Sequence, residues 1–146
     1  MASNKVSNKV YTHNHNVPNQ FAKIAQWHED RNLIAGATDD SQFVKLLEEV
    51  VELYMTIHRN DCNMSPLFAK YDLQEMIGKL HSKGRIKQAP EGKTIEDDVG
   101  DINVVLINLL ERNGFTMQQC LEVAWNDIKD RKGKMIDGVF VKEADL

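Results

Sequence analysis

Apolar side chains recur every three or four residues over most of the chain, and this spacing predicts α-helices. A first helix is expected from Pro18, a residue that suits a first helical turn, and its apolar pattern fades near Gly36. A second helix is expected to begin within residues 38–41, where several N-cap residues stand together, and to end near Arg59. Its apolar positions cover more than half of its circumference, so we expect burial on two sides, as in a helix bundle or a dimer.

Two further helices are predicted in the C-terminal half. Thr94 is followed by Asp97, and Thr116 by Gln119, each at the spacing of a capping box at the beginning of a helix. The helix after Thr94 is strongly apolar and is expected to end at Asn113-Gly114. The helix after Thr116 is expected to continue up to Gly133.

The segment between the two most apolar helices, residues 60–93, has a weaker pattern. Ser65-Pro66 is typical of a helix beginning, and Asp72 with Glu75 has the spacing of a second capping box. We therefore expect one or two short helices here, followed by a loop. The predicted fold class is all-α, a bundle of four main helices with short insert helices.

The two ends of the chain differ from this helical pattern. Residues 1–17 are polar and rich in Asn, so we expect a flexible tail, with one folded domain over residues 18–146. Near the other end, Met135 to Val141 are expected to form a small hairpin that turns at Asp137-Gly138.

Charge and composition narrow the classes of function. The net charge of −4 and the pI near 5.7 argue against direct nucleic-acid binding. The longest apolar stretch, Ile102 to Leu110, is interrupted by two asparagines, and the N-terminus lacks the apolar run of a signal peptide, so we expect no membrane segment. Cys62 and Cys120 are isolated thiols, which favours a cytoplasmic protein with reduced cysteines.

Carboxylates cluster on the second predicted helix. Lys45, Glu49, Glu52 and Thr56 share one narrow stripe, and Glu48 stands beside it. These acids adjoin a mostly apolar surface.

The helix after Thr94 carries a second acidic stripe, in which Asp98 and Asp101 share a face with Val105 and Asn108. Neighbouring carboxylates repel one another unless a cation lies between them, and an all-oxygen set favours magnesium, manganese or calcium. The alternative is that both acidic stripes are ordinary solvated helix faces.

The order and surroundings of these acids resemble a known family, the MazG-like all-α nucleotide pyrophosphohydrolases. The segment 45–53, KLLEEVVEL, is similar to the family's ExxE signature, and the segment 98–107, DVGDINVVLI, to its ExxD signature. Glu49 and Glu52 then match the first metal-binding pair, and Asp98 and Asp101 the second. The resemblance covers about residues 21–132.

This resemblance implies a magnesium-dependent enzyme, with manganese as an alternative, that cuts a nucleoside triphosphate between its α and β phosphates. Glu48 or Glu49 would orient the attacking water, and the chain would form a homodimer or a dimer of dimers. Two features depart from the family pattern. Position 98 is Asp where the family usually has Glu, and the connection over residues 54–97 is longer than in compact members.

Basic and aromatic residues extend the predicted site. The family commonly carries an Asn followed by basic residues near Asn126, Lys129 and Arg131, which we expect to bind phosphates. Trp27 is expected either to stack on a base or to lie in the core, and core is the commoner location for an indole on an amphipathic helix. Asn108 is a candidate for reading the sugar or base.

Lys45 has two interpretations, a phosphate ligand or a simple partner of Glu49 one turn later. Two other functions also remain open. The acids can form a docking face of a non-catalytic helical interaction module, or belong to an acidic regulator that binds a basic partner. The sequence does not select the base or the sugar of a nucleotide substrate.

Overall fold

The computed structural model describes residues 19–61, 63–137 and 139–146. Within these residues the chain forms five α-helices, an antiparallel strand pair and one turn of 3-10 helix. They are, in chain order, α1 (Gln20–Asp30), α2 (Asp39–Ile57), α3 (Pro66–Ser82), α4 (Ile95–Arg112), α5 (Met117–Ile128), β1 (Gly133–Ile136), β2 (Val139–Lys142) and the 3-10 turn Glu143–Asp145. The predicted tail, residues 1–17, lies outside the described residues.

Short-range side-chain hydrogen bonds fix the helix beginnings. The Asn19 side-chain amide oxygen accepts from the Ala22 backbone N–H at 2.9 Å at the first turn of α1. Thr116 and Gln119 form a full capping box at α5, as predicted, but α5 ends at Ile128 and does not continue up to Gly133, where β1 begins. The Asp97 carboxylate accepts from the Thr94 backbone N–H at 2.9 Å, which confirms the predicted beginning of α4.

The helix α3 corrects one sequence prediction. Its N-cap is Ser65, as expected, but the helix then continues without interruption for 17 residues instead of forming one or two short helices. Asp72 is therefore not a cap. Its carboxylate accepts a hydrogen bond from the Tyr54 hydroxyl of α2, so it joins the two helices. The described part of the chain therefore has five substantial helices, where four main helices were predicted.

The described residues divide into two compact units. One unit combines the described residues up to Gly36 with Ile107–Leu146, and the other is Ala37–Leu106. In the first unit α1 packs against α5, and Trp27 is 7% exposed. Its indole N–H donates to the Ile128 carbonyl at 2.8 Å, and its ring meets the Phe140 ring edge-on, with centroids 5.5 Å apart. The core of this unit is centred on Trp27.

The hairpin predicted over Met135 to Val141 is confirmed. It is longer than expected at both ends, because β1 begins at Gly133 and β2 ends at Lys142. Ile136 pairs with Val139 at the turn and Gly133 with Lys142 at the open end. A Cβ atom on Gly133 would lie 2.2 Å from the Val141 carbonyl oxygen and 2.6 Å from the Phe140 ring. Only glycine fits there, and the absence of a side chain lets the Phe140 ring lie over the strand.

In the second unit α2 packs against α3. Ala69 is fully buried, but neither α2 nor α4 has a buried residue in the described chain. Large apolar side chains of both helices are exposed, for example Phe43 at 63% and Val105 at 69%. The expected burial of α2 on two sides is therefore not found among the described residues of a single copy.

The prediction of a mainly helical fold is confirmed, with the hairpin as its β component. Among the described residues, every helix is too short or too polar to traverse a lipid bilayer.

Candidate functional site

The predicted acids of α2 lie on its exposed surface beside Lys45. The Lys45 ammonium is 2.6 Å from a Glu48 carboxylate oxygen and 3.4 Å from one of Glu49. The hydrogen bond with Glu48, followed by the charges of both glutamates, raises the pKa of Lys45 above its usual value, although burial works against it. Glu52 is exposed one turn further along. The predicted pairing of Lys45 with Glu49 is thus present.

The predicted acids of α4 have a similar arrangement. The Lys93 ammonium is 2.6 Å from Asp98 and 3.4 Å from Asp101, so one cation bridges both carboxylates. The hydrogen bond with Asp98 is the main cause of the raised pKa of Lys93. The neighbouring Asp97 serves the helix cap instead, and its hydrogen bonds from Thr94 lower the pKa of its carboxyl.

Lys93 is a site residue that sequence reasoning missed. It precedes α4, so the helical spacing that found Asp98 and Asp101 does not reach it. Its position depends on the turn before the helix, where Gly92 adopts a positive φ of 82°. The sequence signal for this position is Gly92 itself, because glycine is typical of a turn that reverses the chain, and such a turn can bring the next residue back beside the helix.

The two acidic groups are not gathered into one metal site within the described residues. No set of three or more His, Cys, Asp or Glu side chains in that part of the chain is close enough to hold a metal ion. The oxygen-only chemistry of Glu49, Glu52, Asp98 and Asp101 suits magnesium. Each pair alone offers two carboxylates, so water molecules and substrate phosphates would have to fill the remaining coordination positions of such an ion.

The predicted phosphate-binding residues lie at the end of α5. Lys129 donates to the Asn126 amide oxygen at 3.2 Å, and both side chains are exposed. Arg131 pairs with Asp127, and its backbone carbonyl accepts from the Arg31 guanidinium at 3.1 Å and 3.3 Å. Arg131 therefore already has an anionic partner, whereas Lys129 has only a neutral one among the described residues.

The remaining predicted residues are Trp27 and Asn108. Trp27 occupies the core of its unit, which was one of its two expected locations. Trp27 nevertheless also lines an open groove between α1 and α5, as does Lys129. Asn108 is exposed on α4. Contact of either residue with a substrate stays a prediction.

The comparisons with known proteins add one relative. The chain is similar to the "Uncharacterized 18.2 kDa protein in rep-hol intergenic region" of Haemophilus phage HP1 (strain HP1c1), with 32% identity over 90 residues. The match covers 62% of this chain and 37% of that protein, so the chain spans little more than a third of the relative's length. No protein-family model matches the chain, and no solved structure does.

Proposed function

We propose that this protein is a magnesium-dependent hydrolase that converts ribo- or deoxyribonucleoside triphosphates to a nucleoside monophosphate and pyrophosphate. The observation that carries the proposal is the presence of two lysine-bound groups, each made of two carboxylates that lie close to one lysine ammonium. Lys45 and Lys93 each place one ammonium within 3.4 Å of two carboxylates on an exposed helix. Neighbouring carboxylates attract a cation, and a divalent ion carries twice the charge of an ammonium and prefers oxygen ligands.

The residues that would hold magnesium are Glu49 and Glu52 of α2 with Asp98 and Asp101 of α4. When bound, the ion would supply charge neutralisation of the phosphates and a more acidic water. The described residues do not bring these four carboxylates together, and we propose that they converge when two copies of the chain associate. The exposed apolar residues of α2 and α4 support self-association, because patches of this kind mark interaction surfaces.

The reaction follows from the proposed roles of this chain's residues. Glu48 or Glu49 accepts a proton from a water molecule, whose oxygen forms a bond to the α-phosphorus. The bond from that phosphorus to the bridging oxygen breaks, and pyrophosphate leaves with the electron pair. Lys129 and Arg131 offset the charge that develops on the leaving group. We place this activity in the cytoplasm.

A second candidate function is a non-catalytic interaction module that docks a partner on its acidic surface. The observation that favours it is that the exposed acids are not assembled into a metal site within the described residues. The two functions differ in what magnesium does to the folded protein, because a metal that binds the native state stabilises it.

The test uses the purified protein with Glu52→Gln, Asp101→Asn and the control Glu111→Gln. Glu111 is an exposed acid of α4 outside both lysine-bound groups. Each protein is incubated with magnesium and a panel of nucleoside triphosphates, and products are separated by anion-exchange chromatography. We expect monophosphate and pyrophosphate from the intact protein and the control, and at least about 100-fold less from the two variants.

Thermal unfolding provides an independent readout. Magnesium at about 100 times its dissociation constant should stabilise the intact protein by about 2.7 kcal/mol and the two variants much less. Diphosphate and orthophosphate as products would contradict the proposed cleavage position. No turnover, together with no magnesium effect on unfolding, would favour the interaction module.

A further inference from the structure

The groove between α1 and α5 lies wholly within one compact unit, the unit that contains Trp27. It has a volume of about 450 Å³, within the usual range for small-molecule sites, and its lining combines two indole rings with several charged side chains. The lining residues are Ala22, Lys23, Gln26, Trp27, Asp30, Arg31, Trp125 and Lys129.

The charges of this groove are positive in a protein whose net charge is −4. Three cations line it against one carboxylate, that of Asp30, which already accepts from the Gln26 amide at 2.8 Å. Arg31 is held in place, because its guanidinium stacks 4.4 Å from the Trp27 ring centre and donates to the Arg131 carbonyl. The excess positive charge favours an anionic ligand.

Two of the cations, Lys23 and Lys129, have no carboxylate partner among the described residues. The Lys23 ammonium lies 6.0 Å from the Trp125 ring centre, and Lys129 donates only to the neutral Asn126 amide. In contrast, Lys45 and Lys93 are each bound to carboxylates. The groove lysines are therefore available to an anion.

The two tryptophans of the groove differ in how accessible they are. Trp27 is 7% exposed and its N–H donates to a backbone carbonyl, so its ring is held in one position at the side of the groove. Trp125 is half-buried, and no hydrogen bond of its indole is found within the described residues. Because its partly exposed ring lines the groove, it can accept a planar ligand by stacking when the Lys23 ammonium, which lies over the ring, turns to pair with charge attached to that ligand.

We propose that the α1–α5 groove binds a nucleotide, with the base stacked on Trp125 and the phosphates paired with Lys23 and Lys129. This proposal rests on the proposed function for the class of ligand, a nucleotide. It assigns that nucleotide a binding surface on which no metal ion is needed. It adds Lys23 and Trp125 to the residues that hold the substrate.

The test measures nucleotide binding by the tryptophan fluorescence of Glu52→Gln, in the presence of a metal chelator. The chain has two tryptophans, so Trp125→Phe leaves the buried Trp27 as the sole emitter. We expect a nucleoside triphosphate to quench the emission of Glu52→Gln and to have little effect when Trp125→Phe is added. Lys23→Met and Lys129→Met should each weaken binding at least about fivefold, and Lys134→Met, an exposed lysine outside the groove, should leave it unchanged.

Separate probes divide the ligand into its parts. The matching nucleoside lacks phosphates and tripolyphosphate lacks a base, and each should bind at least about fivefold more weakly than the whole nucleotide. Circular dichroism confirms that each variant is folded. The proposal would be overturned if the nucleotide quenched the protein equally with and without Trp125, or if tripolyphosphate bound as tightly as the whole nucleotide. It would also be overturned if the Trp125 emission changed with protein concentration and not with added nucleotide.

The result is separable from that of the hydrolysis assay. Quenching that depends on Trp125 in a chain without hydrolytic activity would support the groove and refute the enzyme. Hydrolysis with no dependence on Lys23 or Trp125 would support the enzyme and refute the groove.

Discussion

The replacement of Trp27 by Phe tests whether this side chain is mainly a core residue. The indole N–H bond to Ile128 is lost, which should cost about 0.5–1.5 kcal/mol because the carbonyl also accepts from the Arg131 backbone N–H and is not left unpaired. The smaller ring also leaves a void beside Phe140, at about 1–2 kcal/mol. Together these effects amount to about 1.5–3.5 kcal/mol.

The assay is thermal unfolding followed by far-ultraviolet circular dichroism. For a chain of this size, a loss of that magnitude should lower the Tm by about 5–10 °C. Trp125→Phe is the matched control, because Trp125 is half-buried and lacks a hydrogen bond within the described residues, so its loss should cost at most about 1 kcal/mol. The reasoning fails if Trp27→Phe unfolds within about 1 °C of the intact protein, or if both substitutions lower the Tm equally.

Two further predictions concern the helices of the second unit. The hydrogen bond to Asp72, followed by burial, raises the pKa of Tyr54 from 10.0 to about 12. Because the neutral phenol is favoured in the folded state, its contribution to stability should be complete below pH 10 and lost as the pH rises through 12. In an absorbance titration, the difference between the intact protein and Tyr54→Phe should show a tyrosine ionising near pH 12, and a midpoint at or below 10 would disprove the assignment. Separately, Phe43→Glu should weaken self-association by at least about tenfold in sedimentation experiments, because it places a charge on an exposed apolar position. The control is the adjacent Gln42→Glu, which adds the same charge at an exposed polar position and should leave self-association unchanged. A monomeric intact protein would contradict the proposed assembly.

The helix beginnings were predictable because their causes are local. A capping box joins residues three positions apart, so Thr94 with Asp97 and Thr116 with Gln119 carry the whole signal in the sequence. The same rule gave a wrong prediction at Asp72. The pattern assigned its carboxylate to a helix cap, but this carboxylate accepts a hydrogen bond from the Tyr54 hydroxyl of another helix.

The candidate site was predictable only along each helix. Helical spacing correctly placed Lys45 beside Glu49, because both lie on α2. It could not find Lys93, which reaches Asp98 from outside the helix through a turn. The groove was missed for a related reason, since Lys23 and Trp125 lie on helices about 100 residues apart and nothing local in the sequence relates them.

The separation of Trp27 from Ile128 also affects how the chain folds during synthesis. These bonded residues are 101 positions apart, so α1 is made long before the helix and hairpin that cover its indole. At typical translation rates the interval is about 5–20 s, which is much longer than a helix needs to form. The newly made α1 therefore presents an uncovered tryptophan to chaperones and to other nascent chains until α5 and the hairpin leave the ribosome.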